Sequence, residues 1–210
     1  NEGKAEDGFA EFGKLPEWFG DVKFIGGTGL ISPGHTTEMT MKLNPGYYLI
    51  ECYVKMSNGV FHGSMGMIKE IIVSETDSGN MEPKADIAIE ISSTEGIVFN
   101  DSISAGNHTF SVNYKDQIVH ENFVGHDVNL AKLDDNANLD DLNNWMDWSN
   151  PKGFIEPSPA GVTFIGGVNN MLAGDKGYFT ANLEPGRYVL IAEVPNPASK
   201  NMLKTFTVLE

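Results

Sequence analysis

Three residues in one short stretch of the chain could act together on a metal. Cys52 closes a strand-like run that begins near Gly46, His62 follows ten residues later, and Met67 opens the next strand-like run, residues 68–73. A thiolate, an imidazole and a thioether at the two ends of one loop suit a soft metal ion. Two histidines, one cysteine and a weak axial methionine make the blue-copper donor set. Cys52 is the only cysteine, so no intrachain disulfide competes for its sulfur. The plainer alternative is packing: a free cysteine often serves as a small buried hydrophobe, and Met65 and Met67 could fill a core in the same way.

Other chemistry finds less support. His120 lies in a run, residues 117–123, whose composition predicts a strand, where a histidine more often serves structure than ligation. His108 and His126 are expected at the surface and His35 in a turn. Residues 134–138 (Asp-Asp-Asn-Ala-Asn) begin like a calcium loop, but position six would be Leu139 and position twelve Trp145, so a capped helix start is expected instead. The two Phe-Ile-Gly-Gly segments lack the glycine spacing, lysine and following helix of a phosphate loop. No Gly-x-Ser-x-Gly or His-Glu-x-x-His occurs. No catalytic constellation emerges, and the chain is not expected to be an enzyme.

The elements that must position Cys52, His62 and Met67 occur twice. Residues 24–54 align with residues 164–194 without a gap, with 11 identities in 31 positions. The shared skeleton is Phe-Ile-Gly-Gly (from Phe24 and Phe164), then Pro-Gly-x-Tyr (Pro45, Gly46, Tyr48; Pro185, Gly186, Tyr188), then a strand-like run. A repeat of this length implies two copies of one folding unit. The second copy is preceded by about 110 residues of its own and the first by only 23. The expected organisation is therefore the C-terminal half of a first domain (residues 1–73), a polar linker (74–84) and a complete second domain (85–210).

Short runs rich in Val, Ile, Tyr, Phe and Thr, separated by Gly, Pro, Asn and Asp, predict an all-β sandwich or barrel. Strands are expected over 22–24, 36–42, 47–54, 68–73, 85–91, 96–100, 106–114, 117–123, 161–165, 177–181, 187–194 and 203–208. Pro-Gly sets a turn in both copies. Helical spacing is present at Leu139, Leu142 and Trp145/Met146, behind a run of aspartates that suits a helix N-terminus. A similar pattern (Ala5, Phe9, Phe12) runs through residues 2–15.

The composition supports packed cores, with 40% hydrophobic and 10% aromatic residues. Fourteen basic and 29 acidic side chains give a net charge of −15. Such a surface repels phosphate backbones and anionic lipids, so neither nucleic acid nor a membrane is expected as a partner. No apolar run is long enough for a membrane-spanning helix.

The first-copy motif resembles the cupredoxin family, whose last strands carry Gly-x-Tyr-x-x-x-Cys, a loop, and His-x-x-x-Gly-Met. Gly46, Tyr48, Cys52, His62, Gly66 and Met67 fit it. The resemblance is to a bacterial cupredoxin-like group with an extended loop, and it implies Greek-key β-sandwich repeats with short helical insertions. It further implies a periplasmic or extracellular location and copper held through Cys52, His62 and Met67. The family's remaining histidine would precede the first copy. In the second unit His120 falls at the family's first-histidine position, but Ala192 replaces the cysteine and the following loop is about five residues shorter, with no histidine. Met202 matches Met67. The second unit is therefore expected to be metal-free, with His120 vestigial. Two functions stand side by side: copper binding or electron transfer through the first repeat, or a non-catalytic binding or scaffold module. A half-sandwich exposes unpaired strand edges. Residues 20–73 are accordingly expected to be completed by a missing half-domain, a swapped chain or the second domain.

Overall fold

The computed structural model describes residues 21–210, together with Asp7 and Glu17. Apart from Asp7, the helix expected over residues 2–15 falls outside the described residues. Eleven strands are present among them: β1 (Met39–Met41), β2 (Gly46–Glu51), β3 (Ile68–Val73), β4 (Ile87–Ser92), β5 (Gly96–Phe99), β6 (Gly106–Tyr114), β7 (Val128–Leu133), β8 (Val162–Val168), β9 (Lys176–Leu183), β10 (Gly186–Ile191) and β11 (Leu203–Val208). One α-helix, α1 (Leu139–Trp145), lies between β7 and β8.

The strands form a five-stranded sheet in the order β1-β9-β6-β4-β5, a four-stranded sheet in the order β11-β10-β7-β8, and a separate β2–β3 ribbon. The chain crosses between the two larger sheets three times, after β6, β8 and β9, and β4 runs parallel to β6. This is a Greek-key β-sandwich. Its interior is filled by inward residues of both sheets: Ile89, Ile91, Phe110 and Val112 face Leu130, Leu190 and Phe206. Phe110 and Phe179 stack with centroids 4.5 Å apart.

A second apolar cluster covers the outer face of the four-stranded sheet. Leu142 and Met146 of the α1 region, Phe154 and Phe164 pack on Ala131, Leu133, Val189 and Ile191. Asn138 caps α1, its side-chain oxygen accepting from the amides of Asp140 and Asp141, so the aspartate run opens a helix as expected.

Two strand assignments need correction. Residues 117–123 form a loop with one short 3-10 turn, because Asn122 and Phe123 take positive φ (56° and 67°) and end any extended run. Residues 22–24 are also not a strand. Conversely, β7 went unrecognised in the sequence. Val128 and Leu130 face the sandwich core while Ala131 and Leu133 face the cluster under α1. A strand buried on both faces loses the polar–apolar alternation that betrays most strands.

The first-copy segment runs along the open side of the sandwich. Thr28 and Ile31 bridge Val168 and Ile165 of β8, and β1 extends the other sheet beside β9 with Met39 opposite Phe179. Gly29 approaches so closely that an added Cβ would stand 2.7 Å from the Gly167 Cα, so only glycine fits. Three contacts join residues 140 positions apart, the spacing of the sequence repeat: Thr28 with Val168, Met39 with Phe179, and Tyr53 with Glu193.

Candidate metal centre

Cys52 directly follows β2, and Met67 directly precedes β3. The ribbon's hydrogen bonding continues past its end, with the Cys52 amide donating to the Met67 carbonyl (3.0 Å). The loop between them folds back on itself. His62 N–H donates to the Val54 carbonyl (2.9 Å), Gly63 N–H to the Cys52 carbonyl (2.8 Å), and Met67 N–H to the His62 carbonyl (3.2 Å). The return requires a left-handed residue, supplied by Gly66 at φ 99°.

This closure puts the Cys52 sulfur 3.6 Å from Nδ1 of His62. A tetrahedral ion with sulfur at about 2.3 Å and nitrogen at about 2.0 Å holds those two atoms about 3.5 Å apart. The pair therefore fits a bridging metal. On the opposite ring edge, Nε2 of His62 lies 3.6 Å from Glu156 Oε2. A carboxylate behind a ligating imidazole fixes its tautomer and raises its basicity. Burial pushes the Cys52 thiol pKa up; the backbone hydrogen bond at Val54 opposes this, and the Glu51 charge adds to it. Without a cation nearby, the thiol stays protonated at neutral pH. Met67 is 55% exposed. Among the described residues no three His, Cys, Asp or Glu side chains converge as a metal-binding group.

The loop is anchored to residues 148–156 and to the second copy by residues that no sequence motif singled out. Lys55 is fully buried, and its ammonium donates to the carbonyls of Asn150 and Gly153 (both 2.8 Å) and of Trp148 (3.2 Å). Burial pulls its pKa down to about 8, against the opposing charges of Asp147 and Glu193. The Lys55 backbone is clasped on both sides: its amide donates to the Phe154 carbonyl, and its carbonyl accepts from Glu156 N–H. That clasp is what delivers Glu156 to His62. Next to it, Tyr53 donates to Glu193 Oε1 (2.7 Å), accepts from Asn169, and takes the Trp148 indole N–H on its carbonyl (3.1 Å). Glu193 N–H donates to Asp127 Oδ1 (2.7 Å), and both carboxyls are buried. Burial, then the neighbouring Glu193 charge, drives the Asp127 pKa well upward.

The second copy keeps the same backbone frame. Ala192 N–H donates to the Met202 carbonyl at 3.0 Å, as Cys52 does to Met67. Ala192 and Met202 are buried. His120 is half-buried in the loop before β7, 5.5 Å from the ring of His126. The expectation of a surface position fails for His126, which is wholly buried because its loop is tied down by Gln117. The Gln117 side chain accepts from the His126 amide (2.5 Å) and donates to its carbonyl (3.0 Å). His108 is largely covered as well, held by Asp86 and the Ser104 carbonyl. His35 sits in a turn, its amide donating to the Ser32 carbonyl. A cleft of about 900 Å³ lies elsewhere, lined in part by His35, Glu38, His108 and Lys132, and none of Cys52, His62 or Met67 contributes to it.

No family model and no curated protein matches the chain. Solved structures similar to it include two auracyanins. Auracyanin B is 20% identical, with 63% of this chain and 96% of that chain covered, at a TM-score of 0.40. Dithionite-reduced auracyanin from the photosynthetic bacterium Roseiflexus castenholzii is 13% identical, with 59% and 95% covered, at 0.39. Similarity at this level bears on neither ligand nor activity.

Proposed function

We propose that this is an exported cupredoxin-like protein whose first repeat binds copper through Cys52, His62 and Met67, for electron transfer or copper handling rather than catalysis. The observation that carries the reading is the 3.6 Å approach of the Cys52 sulfur to Nδ1 of His62, with Glu156 behind the ring. A thiolate, imidazole and thioether held by a stiff sandwich tune a copper potential through ligand type and outer hydrogen bonds.

In this reading the chain carries tandem repeats, with residues 1–73 the C-terminal half of one domain and 85–210 a whole one. The three contacts between residues 140 apart support it. Like touches like when two copies of a unit face each other about a two-fold axis. The remaining histidine then comes from the polypeptide that completes the β2–β3 ribbon.

The test is a Cu(II) titration of the chain together with the polypeptide that completes the ribbon, followed by the thiolate-to-copper charge-transfer band. A band that disappears in Cys52→Ala and in His62→Ala supports the reading. No band and no bound metal by elemental analysis overturn it. A second reading, a metal-free binding module, rests on the ribbon itself: among the described residues β2 and β3 pair only with each other, and Tyr47, Leu49, Ile50 and Ile72 are exposed. Apolar residues clustered beside an open strand edge mark an interaction surface.

A further inference from the structure

We propose that the free edge of β2 takes an extended polypeptide strand of the β7 kind, running antiparallel, apolar toward both faces and basic where it passes Glu51. The inference rests on residues 1–73 being half of one repeat and names the partner of its ribbon, but it does not depend on copper.

The second copy shows what that edge accommodates. Strand β10 pairs with β11 on one side and with β7 on the other, whereas β2 has β3 on the first side and, among the described residues, no strand on the second. The two strands correspond residue for residue, 140 positions apart. The correspondence extends to the hydrogen bond that closes each ribbon, from Cys52 to Met67 and from Ala192 to Met202. Carrying the β7–β10 register across by 140 sets a residue like Leu133 against Tyr47, one like Ala131 against Leu49 and one like Asn129 against Glu51. An open edge presents a row of backbone donors and acceptors that an added strand satisfies, and its alternate side chains give the addition its selectivity.

The faces of the ribbon define those side chains. Residues directly opposite in an antiparallel pair share a face, so Tyr47, Leu49, Glu51, Ile68, Glu70 and Ile72 stand together. All six are exposed. Their counterparts Val189 and Ile191 lie in the cluster under Leu142, Met146 and Phe154. On the other face Ile50 is exposed and Tyr48 half-buried, while the corresponding Leu190 and Tyr188 belong to the sandwich core. An occupant therefore meets apolar surface on both sides, as β7 does. A contiguous apolar patch of this kind marks an interaction surface. The charges on the first face are the carboxylates of Glu51 and Glu70, the ribbon's one lysine, Lys69, being on the other. A like charge opposite Glu51 destabilises the pairing and a lysine or arginine stabilises it. Strand β7 carries the neutral Asn129 at that register, so the fitting partner differs from β7 there.

The experiment titrates the full chain, reduced and metal-free, with a fluorescent synthetic peptide of residues 127–134, in its own sequence and with Asn129→Lys or Asn129→Glu. Saturable binding is expected, with backbone amides of residues 46–51 gaining protection from hydrogen exchange and the outer edge of β3 gaining none. The lysine peptide should bind about fivefold more tightly than the glutamate peptide, and Glu51→Lys in the chain should reverse that order. Glu51 is exposed, and a thermal melt of the variant confirms that its fold is intact. No binding, protection confined to β3, or an order that Glu51→Lys leaves unchanged would overturn the proposal. So would a stable dimer that keeps the peptide from β2, because the occupant would then be a second copy of the chain. No charge-transfer band is read here, so failure of the copper reading and failure of this one are told apart.

Discussion

The two copies of the repeat share a local structure and differ in what surrounds it. In each, a Pro-Gly turn opens a strand, and the tyrosine two residues after glycine donates back to a carbonyl: Tyr48 to Asn44 (2.6 Å) and Tyr188 to Glu184 (2.9 Å). In each, the strand pairs antiparallel with the one that follows, and the residue at the cysteine position donates to the methionine carbonyl. Yet Leu49 and Ile50 are 53% and 55% exposed, while their counterparts Val189 and Leu190 are fully buried. The difference is β7, which pairs with β10 from Arg187↔Leu133 to Ile191↔Asn129 and has no counterpart beside β2 among the described residues. Turn chemistry and strand register are local properties, whereas burial has to be supplied by another part of a chain.

The largest effect should come from cutting the same position in both copies. Leu190→Ala is expected to cost about 3 kcal/mol in chemical denaturation, as a buried leucine does when a cavity replaces it. Ile50→Ala should change stability by less than about 0.5 kcal/mol. Equal costs would break the comparison, because they would mean that the ribbon is covered in solution.

Next comes Lys55→Met, which deprives three buried carbonyls of their donor and is expected to lower stability by about 2–3 kcal/mol. It should also loosen Glu156 from His62, so the His62 side-chain resonances should broaden or shift. A spectrum unchanged at His62 would show that the clasp does not position the candidate centre.

A smaller effect concerns pH. The carboxyls of Asp127 and Glu193 are raised above the ordinary range in the folded protein, both by burial and Asp127 also by the neighbouring Glu193 charge. A raised folded pKa gives stability that is complete below the unfolded value near 3.8 and is lost as pH rises through the raised folded value. Melting temperature should therefore sag towards alkaline pH, and Asp127→Asn should flatten that part of the profile. An identical slope in the variant would place the titration elsewhere.

The smallest effect sharpens the contrast at the candidate centre. Cys52→Ala, the change the second copy already carries as Ala192, should alter metal-free stability by no more than about 1 kcal/mol, the sulfur being half-buried in a loop that backbone hydrogen bonds hold. A larger loss would make Cys52 a packing residue first.

Much of the fold was legible from the chain. Strands β3, β6 and β11 match their expected spans, because alternation and turn residues bounded them clearly. The helix start at Asn138 was legible for the same reason, since a cap is a local hydrogen bond. Strand β7 was not, because both its faces are buried, and the loop over residues 117–123 read as a strand until its two positive φ angles broke it. Of the candidate centre, Cys52, His62 and Met67 stood out by type and spacing. Glu156, Lys55, Tyr53 and His126 did not: their roles depend on partners about 90 to 140 residues away or on the depth of a loop.

By itself the sequence determined most of the strand segments, where the hairpin turns fall, and which donors stand at the two ends of the first-copy loop. These are consequences of nearest-neighbour chemistry: side-chain period, proline and glycine dihedrals, and donor type. Only the tertiary structure decided that the loop closes to 3.6 Å between sulfur and nitrogen, that Lys55 and Tyr53 moor it to the second copy, and that His126 lies buried beside His120. Those outcomes require residues far apart in the chain to compete for the same buried space and the same hydrogen bonds, and no short stretch of sequence contains both sides of that competition.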